Sequence, residues 1–169
     1  PSAEGTELNL HRFNYTSTTV TDWTNAVFLG FYNIIAGANS VLEYVDVNAY
    51  VFEDQRIQKA IKAEALGIRA FCHLDLMRLW GPSPKAITPT ESVLPYVKTI
   101  SKDATGYIAF DAYMKLLIDD LTEAEELLKD NDPIVYYNDK WSGKEAGRNG
   151  IYSGSGFTDH GETNYWNRR

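Results

Sequence analysis

The sequence predicts an all-α domain built from helix pairs, and three observations carry that prediction. Apolar residues recur at spacings of three and four along segments of about 22–45, 53–80 and 107–130. The second segment is rich in small residues and stops abruptly at a Trp-Gly-x-x-Pro sequence. The chain has 169 residues, 44% of them hydrophobic, which suffices for a folded core.

The first long segment predicts a helix over about 22–45. Residues 1–21 are polar and without a sustained period, which predicts a loop before it. Asp22 suits an N-cap or first-turn position. The apolar stripe of this predicted helix comprises Trp23, Val27, Phe31, Ile34, Ala38, Val41 and Val45. A short connection over 46–52 then predicts an antiparallel hairpin with the next helix.

The second helix, about 53–80, has two faces that need partners. Its apolar stripe consists of Ile57, Ile61, Ala65, Ile68, Cys72, Leu76 and Leu79. A row of mostly small residues runs beside it and consists of Ala60, Ala63, Gly67, Ala70 and Leu74. Gly67 costs about 1 kcal/mol relative to Ala, so we expect close packing against another helix there. Gly81 is expected to end the helix as a left-handed C-cap, followed by Pro84. Cys72 is the single cysteine, and we interpret it as a buried, inert thiol.

The rest of the chain reads as a crossover, a third helix and a long loop. Four prolines within 82–106 predict an extended crossover along the surface. The helix over about 107–130 is expected to turn an acidic face outwards, formed by Asp119, Asp120, Glu123, Glu125 and Glu126. Residues 131–169 combine six glycines with aromatic residues and show no period. A loop of that length indicates a binding surface or a missing partner segment, and we expect the chain to be a fragment of a longer protein.

Charge argues against a nucleic-acid partner, and hydropathy argues against a membrane-spanning helix. The net charge of −7 and a pI near 4.9 argue against nucleic acid. No apolar run approaches 18 residues, so the sequence predicts no membrane-spanning helix, and no signal peptide opens the chain at Pro1.

The helices together resemble the amino-terminal half of the SusD/RagB family, over about residues 22–128. The first motif is Trp23 leading into Tyr32-x-x-Ile35-x-x-Ala38-Asn39. The second and most specific comprises Glu64-Ala65, Arg69-Ala70-Phe71, His73, Leu76 and Trp80-Gly81-x-x-Pro84. The third comprises Leu94-Pro95-Tyr96-Val97 and Tyr113, Ile118, Asp120-Leu121 and Ala124.

The resemblance implies a superhelix of helix pairs like tetratricopeptide repeats, with long variable loops. It implies a lipid-anchored protein at the surface of the Gram-negative outer membrane that binds a nutrient without catalysis, cofactor or metal. The nutrient is most often an oligosaccharide or polysaccharide, and the partner is a SusC-like TonB-dependent transporter. The lipid-bearing cysteine of the family has no counterpart here, because Cys72 lies within a helix. A peptide nutrient stays open.

Glycan binding requires aromatic faces for sugar rings and polar groups for their hydroxyls. The predicted ligand contacts are Trp141, Trp166, Tyr136, Tyr137, Tyr152, Asn138, Asp139, Arg148 and, from the first loop, Tyr15. The same aromatics would equally serve to pack the loop onto the scaffold. The predicted structural residues are Trp23, Tyr32, Asn39, Glu64, Arg69, Trp80, Gly81 and Pro84. Among these, Trp23 is expected in the core or at a hinge. Asn39 and Arg69 are expected to bond loop backbone or each other, and Glu64 is a candidate partner for Arg69 or for a neighbouring chain segment.

Two other functions are alternatives to nutrient binding, a glycosidase and a protein-binding module. A glycosidase needs two carboxylates about 5 to 9.5 Å apart, whereas Glu64 and Asp75 lie about 16 Å apart along one helix. Asp119 and Glu123 are close enough, but a solvated acidic face explains them better. The three histidines, His11, His73 and His160, lack the spacing of a triad or metal site. A tetratricopeptide-like module that binds another protein stays open, and it would expose its binding residues on helices rather than on the loop.

Overall fold

A computed structural model describes residues 5–83, 86–129 and 131–132. This part of the chain contains four α-helices: α1 (Thr6–His11), α2 (Thr18–Tyr44), α3 (Gln55–Trp80) and α4 (Phe110–Leu128). A short 3₁₀ turn, Ala49–Val51, lies between α2 and α3. The predicted all-α class is confirmed, with no strand among the described residues beyond an isolated bridge between Ser92 and Ala109. The predicted aromatic loop falls outside the described residues from position 133 onwards.

The three predicted long helices are present, with shifted ends. α2 begins four residues earlier than predicted, after Ser17. α3 begins at Gln55 because the side chain of Asp54 accepts a hydrogen bond from the backbone N–H of Arg56 and caps it. α4 begins three residues later than predicted, because Ala109 still pairs with the crossover.

The prediction of a loop over residues 1–21 was wrong at Thr6–His11, which form α1. This helix is six residues long. A helix of fewer than two turns shows too few repeats for an apolar period to be recognised. It contacts α2, so the segment is anchored to the bundle.

α3 is the central helix and packs against both α2 and α4. Near its carboxyl end, the segment 70–77 forms a core with Ile35 of α2 and Leu117 of α4. Near its amino end, Leu66 packs with Leu42 of α2 and with Leu127 of α4. Since low numbers on α3 meet high numbers on both neighbours, α3 runs antiparallel to α2 and α4. The predicted antiparallel hairpin of the first two long helices is thereby confirmed.

The buried face of α3 differs from the predicted stripe. Ile68 and Leu79 are 48% and 62% exposed, so their placement on a buried face was wrong. The stripe members Ala65, Cys72 and Leu76 are buried, and Ala63 and Ala70 of the small-residue row are buried as well, so each predicted row is buried in part. The expected close packing at Gly67 is also absent within the described part, where an added Cβ would meet no atom within 4 Å.

The crossover between α3 and α4 lies only partly on the surface as predicted: residues 98–107 are exposed, but the part around Pro95 enters the core. Val93, Leu94 and Tyr96 are buried. The N–H of Val93 donates to the carbonyl of Ile108 at 2.9 Å, which pairs the crossover with the segment that enters α4. The apolar side chains around Pro95 favour burial of this segment in the core. The hydrophobic free energy gained outweighs the cost of burying the backbone, because the backbone polar groups are hydrogen-bonded.

The end of α3 depends on Gly81 for a different reason from the one predicted. Gly81 has φ −73° and ψ 168°, an extended conformation and not the expected left-handed cap. Its N–H donates to the carbonyl of Met77 at 2.9 Å, and a Cβ at this position would collide with that same carbonyl oxygen. Glycine is therefore required here by space.

α2 is long and apolar enough to cross a membrane by length and composition alone, with an 18-residue window of mean hydropathy 1.3. On this criterion the prediction of no membrane-spanning candidate was wrong, because small residues and uncharged polar residues separate its larger apolar ones. Core helices of soluble proteins meet the same criterion. Asn39 of α2 is buried and bonded to α3, so α2 is an element of the helical bundle.

Candidate functional site

A buried polar network joins all three long helices to the crossover. Arg69 of α3 donates from Nε and Nη2 to the two carboxylate oxygens of Asp120 of α4, each at 2.7 Å. Its Nη1 donates to Oδ1 of Asn39 of α2 at 2.8 Å. From the crossover, the hydroxyl of Tyr96 donates to Asp120 at 2.6 Å. We call Arg69, Asp120, Asn39 and Tyr96 the polar core, and all four are buried.

Charge pairing keeps Asp120 ionised inside the bundle. Burial opposes ionisation of this carboxyl, but the hydrogen bonds from Arg69 and Tyr96 outweigh burial and hold its pKa below the ordinary value. Burial and the bond to Asp120 raise the pKa of the Tyr96 hydroxyl, which stays protonated as the donor. The result is one bidentate ion pair with a neutral phenol beside it.

His73 is a neutral histidine that binds the crossover next to the polar core. The hydroxyl of Tyr113 donates to the backbone carbonyl of His73 at 2.7 Å, so His73 Nδ1 is the donor in its 3.1 Å contact with that hydroxyl. His73 Nε2 then accepts from the N–H of Val97 at 3.2 Å. Burial, as the largest effect, lowers the His73 pKa to about 4. The His73 ring stacks on Tyr96 with centroids 3.9 Å apart.

Further bonds hold the crossover backbone. Asn39 Nδ2 donates to the carbonyl of Val97 at 3.0 Å, and the hydroxyl of Tyr32 donates to the carbonyl of Pro95 at 3.3 Å. Burial raises the Tyr32 pKa to about 12, so this hydroxyl also remains a donor. Among the described residues, every buried side-chain nitrogen and oxygen has a partner. The polar core is closed on itself and presents no free group to a ligand.

Asp120 is the residue that sequence reasoning misplaced. The sequence predicts Asp120 on the acidic outer face of α4, and this prediction was wrong. The pairing of Glu64 with Arg69 or with a neighbouring chain segment stays a prediction. Asp120 in fact lies on the buried side with Tyr113, Leu117 and Ala124. Their spacing of four, three and four was visible in the sequence, and an acid at that register position was the available signal. Glu64 is partly buried on α3.

An aromatic cluster occupies the end of the bundle where α2 begins and α3 ends. Phe28 contacts the rings of Tyr32 and Trp80 at centroid distances of 5.0 and 5.2 Å, and Phe31 also contacts Trp80, at 6.3 Å. Trp80 and Tyr32 are partly buried. Trp23 is 50% exposed, so its expected place in the core was wrong, and the alternative of a hinge anchor stays a prediction.

Of the predicted ligand contacts, Tyr15 is the one that the structure describes. It is 60% exposed in the turn between α1 and α2, and its ring lies 6.4 Å from that of Phe13, which is 76% exposed. The remaining predicted contacts lie outside the described residues: Tyr136, Tyr137, Asn138, Asp139, Trp141, Arg148, Tyr152 and Trp166. The predicted structural residue Pro84 also lies outside them.

Comparison with known proteins gives one family. A model of the SusD-like family, described as "Starch-binding associating with outer membrane", matches residues 3–142. The chain belongs to the SusD-like family. No curated protein matches it. The SusD-like match includes α1 to α4, the polar core and the exposed pair Phe13 and Tyr15.

Membership of the SusD-like family associates the chain with glycan binding and with the outer membrane, and it places the chain among binding proteins. The match ends after Trp141, so Arg148, Tyr152 and Trp166 lie beyond it. Within the matched span, the acids of the outer face are solvated; Asp119 is half-exposed and accepts from Lys115 at 2.6 Å.

The described part of this SusD-like chain holds neither a candidate metal site nor an activated thiol. No group of three or more His, Cys, Asp and Glu side chains there could hold a metal ion. Cys72 is buried, as predicted, and burial followed by the charge of Asp75 raises its thiol pKa. A raised pKa disfavours the thiolate, which is the reactive form.

Proposed function

We propose that this chain binds an oligosaccharide or polysaccharide at the surface of the outer membrane, without cleaving it, for delivery to a SusC-like TonB-dependent transporter. The observation that carries the proposal is the SusD-like match over residues 3–142, whose description names starch and the outer membrane. Attachment of the full-length protein through a lipid anchor at the Gram-negative cell surface is part of the same proposal.

The chemistry of the described core supports binding rather than catalysis. A glycosidase requires one carboxyl that holds a proton and a second that remains ionised, at the surface of a cleft. Asp120 is ionised but is fully engaged by Arg69 and Tyr96 inside the bundle. His73 is neutral and is bonded on both ring nitrogens. Asp120 and His73 therefore stabilise the helical scaffold.

We assign glycan contact to aromatic and polar residues between positions 136 and 166 and to Tyr15. Trp141 and Trp166 are the proposed stacking platforms, with Tyr136, Tyr137 and Tyr152 as further rings. Asn138, Asp139 and Arg148 are the proposed partners for sugar hydroxyls. Tyr15 is proposed as a contact from the turn before α2.

Affinity electrophoresis tests the assignment of the two tryptophans. The chain is run in gels containing soluble starch or another polysaccharide, with casein peptides assayed separately as the peptide alternative. Trp141→Ala and Trp166→Ala are each expected to weaken retardation about tenfold, since each removes one stacking surface. Tyr50→Ala, an exposed ring in the α2–α3 connection, is the matched control and is expected to migrate like the parent chain. Unchanged retardation of both tryptophan variants would remove the loop from the binding site.

The second candidate is a helical module that binds another protein without a glycan. Exposed apolar side chains on α3 favour it, because Phe71 is 61% exposed beside Ile68. This second function would be supported if the chain bound no glycan and if Phe71→Ala abolished its binding to a protein partner.

A further inference from the structure

We propose that the turn between α1 and α2 is a carbohydrate subsite in which Phe13 and Tyr15 stack on sugar rings and Arg12 binds their hydroxyls. This inference rests on the proposed function and adds to it a described surface with Phe13 as a principal contact. The segment lies inside the SusD-like match. We call residues 12–16 the aromatic turn.

The aromatic turn exposes two rings that contact each other. Phe13 and Tyr15 are 76% and 60% exposed, and their planes are inclined at 64°. Apolar rings that contribute to folding are normally covered, so this pair contributes little to the core. The inclination directs the two open ring faces differently, which suits contact with neighbouring sugar units of one chain.

Hydrogen bonds fix the aromatic turn although it is exposed. The backbone N–H of Asn14 donates to the carbonyl of Asn9 at 2.8 Å, and its side-chain amide donates to the side chain of Asn9 at 2.9 Å. Thr16 donates to Asn14 Oδ1 at 3.0 Å, and Thr21 of α2 donates to the carbonyl of Tyr15 at 3.4 Å. A rigid surface loses little entropy when a ligand binds.

Phe13 occupies a backbone position that favours other residues. Its φ of 55° lies in the left-handed region, where glycine or asparagine is accommodated at least cost. A phenylalanine there gains little from its exposed ring in folding. A use for the ring outside the fold accounts for this choice.

The polar neighbours match a neutral sugar. Arg12 is exposed, and its guanidinium offers several donors in one plane to hydroxyl oxygens. Asn14 and Thr16 are also exposed and supply amide and hydroxyl groups. Rings for the sugar faces and donors for the hydroxyls thus lie within five consecutive residues.

The test uses Phe13→Gly, which removes the ring while relieving the backbone. Glycine suits the left-handed position, so the melting temperature is expected to be unchanged or higher. The dissociation constant for soluble starch, or for whichever panel glycan the parent chain binds, is expected to rise about tenfold. Tyr15→Ala is expected to act in the same direction, and Arg12→Ala to weaken binding several-fold. Tyr44→Ala/Tyr50→Ala removes two exposed rings at the opposite end of the bundle and is the matched control.

The outcomes separate this inference from the proposed function. Loss of affinity in Phe13→Gly with retained stability and an unaffected control supports the subsite. Equal affinity of Phe13→Gly and the parent chain overturns the subsite and leaves the proposed function standing. An equal loss in the control double variant also overturns it, since the effect would not be local. A parent chain that binds no glycan overturns both.

Discussion

At the scale of single residues, the ion pair between Arg69 and Asp120 is the most demanding interaction in the described chain. Both side chains are nearly inaccessible to solvent, and the charge of Asp120 is compensated chiefly by Arg69, with the half-exposed Lys98 at 3.6 Å from Asp120 Oδ1. The pair is separated by 51 positions and joins α3 to α4. Asn39 and Tyr96 extend it to α2 and to the crossover.

Arg69→Leu is therefore expected to lower the free energy of unfolding by about 3–5 kcal/mol, because the buried Asp120 would lose its bidentate partner and keep only the longer contact with the half-exposed Lys98. Urea denaturation followed by circular dichroism measures this change. Arg78→Ala breaks the exposed pair with Asp75 and serves as the control, with an expected change below about 1 kcal/mol. If Arg69→Leu lowered the free energy of unfolding by less than about 1 kcal/mol, the ion pair would not be a major contribution to the stability of the core.

His73 gives the fold a defined dependence on pH. Its pKa is about 4 in the folded chain against 6.5 ordinarily, so between these values the unfolded chain binds a proton that the folded chain does not. The free energy of unfolding should fall by about 3 kcal/mol as the pH decreases from 6.5 to 4, and should then lose this dependence. Asp120, with its lowered pKa, contributes only at still lower pH.

Urea midpoints measured between pH 7 and pH 4 test the assignment to His73. His73→Gln cannot gain the proton and is expected to show a flatter profile across this window, whatever its absolute stability. The neighbouring titratable groups are Tyr32, Tyr96, Tyr113 and Asp120. Burial raises the pKa of the three tyrosines, and the hydrogen bonds from Arg69 and Tyr96 hold the pKa of Asp120 below its ordinary value, so none of the four is expected to titrate between pH 4.5 and 6.5. The same slope in the variant and the parent would assign the proton uptake to another group.

At the scale of elements, sequence periodicity located the long helices but not all of their faces. The spacing of apolar residues finds α2, α3 and α4 because each spans several turns. Residues of both predicted rows of α3 are buried, but Ile68 and Leu79 were misplaced because apolar spacing does not show which members of a row the two neighbouring helices cover. Asp120 was misplaced because one acidic residue was read together with its neighbours instead of by its register.

Glycine substitutions test the packing of the helices. Gly37→Ala and Gly67→Ala place a methyl group in open space and are each expected to raise the free energy of unfolding by about 0.5–1 kcal/mol through helix propensity. Gly81→Ala is expected to lower it by about 1–3 kcal/mol, because the methyl group would collide with the carbonyl of Met77.

Urea denaturation of the three glycine variants provides the comparison. The sequence alone favoured close packing at Gly67, and the structure shows open space there among the described residues. A destabilised Gly67→Ala would restore the close-packing interpretation and contradict the described surface of α3.

At the scale of the whole molecule, the polar core explains how one small bundle holds a long crossover. Val97 is bonded to His73 through its N–H and to Asn39 through its carbonyl. These side chains come from α3 and α2, so fixing the crossover also fixes the helices relative to each other. The family motifs that contain Asn39, Arg69 and Tyr96 are thus readable as the parts of one buried network.

The sequence identified the SusD-like scaffold because its motifs lie on regular helices, where spacing determines position. It could not locate a ligand site with the same certainty, because the aromatic residues proposed for binding lie in segments without a period. Tyr15 illustrates the limit: its sequence neighbours suggested a polar loop, and only the structure shows its contact with Phe13 and the left-handed backbone that presents both rings.

A calorimetric titration of the 169-residue chain with soluble starch and a panel of other oligosaccharides and polysaccharides tests the central claim most directly. Saturable heat with at least one glycan, returning to baseline after each injection, is the result expected of a binding protein that performs no cleavage. A sustained heat flow after injection would reveal turnover and contradict the absence of catalysis. No heat with any glycan would contradict glycan binding itself.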